Sequence, residues 1–191
     1  MSLSRISRRL GSLDERPRAM HAVLNPDQVA LVEWITAGLR ISEVRDMRGD
    51  AGYLLNNMIA KFSLAASEYL LSKAALTRLK QDGVNLKLRH RRSRFYGKKS
   101  PFLYEHTIPA SLVRHQLLSV QPVRAEVESV LSSAGAVAVV LREEDDLLRL
   151  HGLRSSMPEG WAWGDDALAR YHVAGLEIAE QRLVVEGAIC R

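Results

Sequence analysis

From Pro26 to Gln81 apolar residues recur every three or four positions with little interruption, so this stretch must bury a helical face. Asn25 suits the N-cap, Pro26 the first helical position and Asp27 the positive helix end. Val29, Val32, Ile35, Leu39 and Val44 follow at helical spacing and predict a helix over 26–47, ended by Arg48-Gly49-Asp50. That tripeptide also reads as an integrin-binding motif, but it would need a secreted context that nothing else in the sequence supports. Asp50 can cap a second, longer helix whose stripe runs through Leu54, Met58, Phe62, Ala65, Tyr69, Leu76 and Leu79, with Gly83 as its stop. Two such helices on a short link predict an antiparallel hairpin over 25–83.

After Gly83 the period changes. Val84, Leu86 and Leu88 alternate with Asn85, Lys87 and Arg89, which predicts a strand with a cationic face. PFLYE, beyond Gly97 and Pro101, could pair back on it as a hairpin. Helices are expected from Ala110 and after Pro122. AVAVVLR reads as a buried strand, EEDDLLRLHGL as a helix, ALARYHVAGLEIA as a helix and QRLVVEGAIC as a closing strand or tail. No internal repeat or heptad run is evident. The expected class is α+β and mostly α-helical: an N-terminal helical hairpin, then a C-terminal helical part carrying a few short strands. Residues 1–24 read as a basic flexible arm, and 84–191 as one compact unit with 25–83.

With 47% hydrophobic residues the chain can bury a core without covalent staples. No apolar run approaches the roughly 20 residues needed to span a bilayer, and the N-terminus has no apolar signal core. Cys190 is the only cysteine, so neither an intrachain disulfide nor a thiolate zinc cluster can form. A reduced, cytoplasmic setting is expected, with no membrane partner.

The net charge of +5 is unevenly placed. Lys87, Arg89, Arg91, Arg92, Arg94, Lys98 and Lys99 fall between Gly83 and Tyr104 without one acid, and the first 24 residues are basic as well, leaving the remainder net acidic. Such asymmetry suits a polyanionic partner. Phe95 and Tyr96 lie among the cations, so the segment combines phosphate-neutralising charge with rings able to stack on bases, and DNA or RNA is the expected partner. The bland alternative is a solvated loop rich in arginine.

Directly downstream, Glu105-His106-x-x-Pro109 resembles the first motif of HNH-type (His-Me finger) nucleases. The resemblance implies a metal-dependent endonuclease hydrolysing phosphodiester bonds. Glu105 would ligate Mg²⁺ or Mn²⁺, and His106 would act as general base on the attacking water. His115, His151 or an acid of the Glu143–Asp146 cluster, Glu144 among them, would complete the metal site. Read from the residues alone, the same stretch is a helix start: His106 would bond a backbone carbonyl, Thr107 or Ser111 would cap, and Pro109 would open the helix.

The acids Glu143 to Asp146 suit either a hard cation or simply the helix dipole. Trp161 and Trp163 read as core or as a partner anchor, and Arg170 could reach a phosphate if it faced the basic segment. A glycine-rich phosphate loop and an activated-serine motif are both absent from the sequence, which argues against ordinary nucleotide-dependent and acyl-transfer enzymes. Two readings remain: a nucleic-acid-binding protein or nuclease, and a non-enzymatic regulatory module in which the helical hairpin makes a homodimer and the basic segment docks on a partner.

Overall fold

The computed structural model describes residues 24–46, 49–95 and 97–186. The expected basic arm up to position 23, Arg48, Tyr96 and Cys190 lie outside the described residues. Asn25 Oδ1 accepts from Gln28 N at 3.0 Å while Asn25 N donates to Gln28 Oε1 at 3.2 Å, a reciprocal cap that starts α1 (Pro26–Gly38). The same two side chains reach forward: Asn25 Nδ2 donates to Ala65 O and Gln28 Nε2 to Phe62 O. The start of α1 therefore lies against the end of α3 (Gly49–Leu64), and the two are antiparallel as expected.

Both arms of the hairpin are shorter than the periodicity predicts. The first breaks after Gly38, and a single turn, α2 (Ser42–Arg45), follows in place of a helix to residue 47. The second stops at Leu64. Residues expected to prolong it instead form strand β1 (Glu68–Ser72) and a separate helix, α4 (Lys73–Gln81). The sequence misleads here because EYLLS is a short apolar run buried between two neighbouring strands, and periodicity cannot separate that from a buried helical turn.

The expected basic hairpin is likewise corrected. Asn85 turns the chain, accepting from Lys87 N on its side chain and from Leu88 N on its carbonyl, so the alternation of 84–89 never becomes a strand. Only β2 (His90–Arg91) extends, followed by a 3₁₀ turn (Arg92–Phe95). PFLYE does form strand β3 (Phe102–His106), but β2 and β3 never meet. Helices α5 (Ala110–Ser119) and α6 (Arg124–Ser133), strand β4 (Val137–Leu141) and helix α7 (Arg142–Leu150) fall where expected. Of the stretch from Ala167 only α8 (Ala169–Val173) is helical, before the chain extends as β5 (Ile178–Glu186).

The strands make one mixed sheet in the order β2-β5-β1-β4-β3, which places β2 and β3 at opposite edges. β1 and β4 are parallel neighbours in register Leu70↔Ala138, and β3 is antiparallel to β4 with Glu105 opposite Ala138. Each of the two central strands runs straight into a helix, and each helix ends on a left-handed glycine, Gly83 or Gly152. The two units pack on opposite faces. Ala75, Leu76 and Leu79 of α4 join Tyr69, Leu71, Val137 and Val139, whereas Leu148 of α7 joins Ala138, Val140, Tyr171 and Leu176.

At the strand ends the two units are joined by one hydrogen bond. Ser72 Oγ accepts from Ala75 N, capping α4, and donates to Glu144 Oε2 at 2.5 Å. Glu144 Oε2 also accepts from Leu141 N, closing the start of α7. A third apolar cluster, of α1, α3, α5 and α6, holds Val32, Ile35, Ile59, Val113, Leu117 and Leu131. The fold is thus α+β and mostly helical. Among the described residues no helix is long and apolar enough to cross a membrane.

Candidate nucleic-acid interface

The basic segment leaves α4 at Gly83 and rejoins the sheet at Phe102, passing through the Asn85 turn, β2 and the 3₁₀ turn. Lys87, Arg89, Arg91, Arg94, Lys98 and Lys99 are exposed along it, and among the described residues none of the six enters an ion pair with an acid. Arg94 Nη1 lies 3.1 Å from His90 Nδ1, and its guanidinium sits over the Phe95 ring at 5.5 Å. Arg92 is different. It is half-buried and donates to Ala65 O and Ala66 O, so it closes the C-terminal end of α3. Phe95 is no stacking platform either: it is 3% exposed and packs edge-on between His90 and Phe102.

An open cleft of about 630 Å³ lies between the end of α4 and the turn Gly97–Ser100, and Arg94, Lys98 and Lys99 line it. Arg142, at the start of α7, braces that turn from behind, donating from Nε to Ser100 O at 2.7 Å and from Nη2 to Gly97 O at 2.9 Å. Sequence reasoning had no signal for this role. Arg142 reads only as the residue ahead of an acidic helix.

Glu105 and His106 lie at the end of edge strand β3, and both side chains are committed to the fold. Glu105 Oε2 accepts from Arg170 Nη2 at 3.0 Å. Burial raises the Glu105 carboxyl above its usual range, Arg170 draws it back down, and Asp145 nearby pushes it up again. Arg170 is itself 1% exposed, so it cannot reach a phosphate as the sequence had suggested. Its remaining bonds go to backbone: Nε to Thr107 O, Nη1 to Leu153 O and Arg154 O, and Nη2 also to His106 O. All five guanidinium N–H donors are therefore used. Its plane also stands over the Tyr171 ring, 5.2 Å from the centroid. A lone arginine in ALARYH gives no sequence signal for this hub.

His106 points to the face of β3 opposite Glu105. Its Nε2 is enclosed without a hydrogen-bond partner. Burial lowers the imidazole below its usual value, the Ala60 backbone on α3 pulls it up, and Arg170 pushes it down. The ring as a whole is half-buried, but the nitrogen left without a partner is enclosed instead of facing a water, which fits the backbone-carbonyl setting of the helix-start reading better than that of a general base. The cap differs from that reading in detail: Pro109 is the N-cap of α5, and Thr107 faces the other way. Thr107 N donates to Ala136 O and Thr107 Oγ1 accepts from Ala136 N, tying β3 to the start of β4.

The proposed metal ligands do not assemble. Glu144 is buried against Ser72 and Leu141, while His115 is exposed on α5 and His151 is exposed as the C-cap of α7. Among the described residues no three His, Cys, Asp or Glu side chains are grouped so as to hold a metal ion. The acids of α7 divide by depth: Glu143 and Asp146 are exposed, whereas Glu144 and Asp145 are buried, with Asp145 Oδ1 lying 3.4 Å from Arg154 Nε. Trp161 and Trp163 are half-buried with Met157 against the helical cluster. Their rings meet edge-on, and Trp161 Nε1 donates to Asp166 O.

Compared with models of protein families, with curated proteins and with solved structures, the chain finds no match, so the HNH resemblance rests on its own few residues.

Proposed function

We propose that the protein binds nucleic acid through the phosphate backbone, using the surface of Lys87, Arg89, Arg91, Arg94, Lys98 and Lys99. The observation that carries this reading is that six cations stand exposed on one segment and, among the described residues, enter no ion pair with an acid. Exposed cations facing phosphates release counterions, so affinity falls steeply with salt and depends little on sequence. The reading assigns no chemistry to Glu105 or His106, whose side chains hold β3 in place, and so departs from the nuclease expectation. A cytoplasmic setting fits the single cysteine.

Gel shift or anisotropy with mixed-sequence DNA and RNA tests the reading. Arg89→Ala with Arg91→Ala should weaken binding to every sequence alike and flatten the salt dependence. Undetectable binding at low salt, or indifference to these changes, would remove the proposal.

A second reading has its own support. Trp34 is 68% and Tyr53 69% exposed, and with Ile41 and Leu54 they leave large apolar side chains on the helical hairpin. A second copy of the chain docking there would make the protein a dimeric interaction module. Sedimentation of the wild type beside Trp34→Glu distinguishes it: a dimer that dissociates in the variant supports this reading, and a monomer in both removes it.

A further inference from the structure

We infer that the cleft beside the Gly97–Ser100 turn receives one unpaired nucleotide, so the strand this protein binds is single-stranded. The inference rests on the nucleic-acid reading and adds a site and a substrate class to it.

Three features of the cleft carry it. The first is its lining, which is divided by chemistry. Arg94, Lys98 and Lys99 supply cations, while Val84, Pro101 and Phe102 supply apolar surface. A nucleotide is divided the same way, into an anionic phosphate and a flat base that gains by leaving water. The second is size. About 630 Å³ falls within the range of sites that enclose a small molecule. It admits a single base and its sugar phosphate, whereas the bases of a duplex are turned inward and already stacked.

The third feature is the state of the turn itself. An anion is repelled by free carbonyl oxygens, and here the first and last carbonyls of the turn, with Phe95 O and Pro101 O beside it, already accept hydrogen bonds from the protein. Ser100 Oγ donates to Phe95 O, Ser100 N and Arg142 Nη2 to Gly97 O, Arg142 Nε to Ser100 O and Arg142 N to Pro101 O. Phe102 N is in turn bonded to Ser100 Oγ. The turn is held before any ligand arrives, so little ordering remains to oppose binding. One acid, Asp82, borders the cleft, and both its oxygens accept from Arg78 Nε at 3.0 and 3.1 Å, which offsets its charge.

The experiment uses the full chain and fluorescence anisotropy with three probes of one length: a mixed-sequence single-stranded DNA, its duplex, and the same single strand with its bases replaced by abasic sites. The single strand should bind about tenfold more tightly than the duplex, and the abasic strand should fall to the duplex level. Lys98→Ala with Lys99→Ala should erase that preference, and Asp82→Asn should strengthen single-strand binding several-fold without altering the far-UV spectrum. If the abasic and natural strands bind equally, or the duplex binds as well as the single strand, the cleft does not take a base. The inference then fails while backbone binding stands. If no probe binds at low salt, both fail.

Discussion

Arg170 and Arg91 carry the same guanidinium in opposite circumstances. Arg170 is enclosed, with every donor used on Glu105 and on four backbone carbonyls, two at the end of β3 and just beyond it and two in the segment after α7. Arg91, the last residue of the two-residue strand β2, is exposed and enters no ion pair among the described residues, although its register partner on β5 is Glu186. A charge removed from water must be matched group for group, whereas a charge left in water is free to meet a partner. The difference separates the two candidate sites of this molecule. The Glu105–His106 stretch has the letters of a catalytic motif and the surroundings of a structural joint. The 87–99 segment has no motif at all, and six of its cations stand in water.

The sharpest way to break that comparison is to unseat Arg170. Arg170→Met should destabilise the fold by about 3–5 kcal/mol in urea unfolding, because it leaves Glu105 and several carbonyls buried without a donor. Little loss would mean that the joint is not a joint. Next in size, Gly135→Ala should lower stability by about 2–4 kcal/mol. Gly135 has φ of +78°, and an added Cβ would fall 2.0 Å from Thr107 Oγ1, pushing apart the β3–β4 tie on which Arg170 also acts. Gly152, at φ +69° with open space around it, should tolerate alanine better.

A smaller effect comes from pH. Burial holds His106 below its usual value, so between that lowered value and about 6.5 the unfolded chain binds the proton more readily than the folded one. Its contribution is therefore present above about pH 6.5 and is lost as the pH falls through the folded value. Glu105 runs the other way: its raised value gives a contribution present in acid and lost as the pH rises through it. Replacing His106 with Gln should flatten the decline in melting temperature between pH 7 and pH 5, and a wild type with no such decline would contradict the enclosed imidazole. The smallest effect on stability belongs to the other region. Lys87→Ala and Arg89→Ala should leave the melting temperature unchanged while weakening nucleic-acid binding, and a drop in melting would show that these cations also support the fold.

How far the sequence could be read follows the same division. The Asn25 cap, the valine-rich β4 and the starts of α5 to α7 were legible because each is set by neighbours within a few positions. The split at Leu64 was not, since Tyr69 and Leu71 are apolar for the sake of β4 and β5, which lie far along the chain. The basic hairpin failed on one residue, Asn85, whose local turn outweighs an alternating pattern. At the site, the run of cations pointed to the exposure of six of them, but not to the structural role of Arg92. The roles of Arg170, Arg142 and Ser72 were not, because each acts on groups more than 15 positions away.

The shared cap at Ser72 has a consequence for how the molecule opens. Amide exchange with solvent samples partial openings, and a sheet with helices on both faces would ordinarily shed each helix on its own. Here the proton donated by Ser72 to Glu144 makes the start of α4 and the start of α7 parts of one closure, with Ala75 N held at one end and Leu141 N at the other. Fraying on one side of the sheet removes a bond from the other. Amide exchange should therefore show Ala75 N and Leu141 N losing protection together in the wild type and separately in Ser72→Ala.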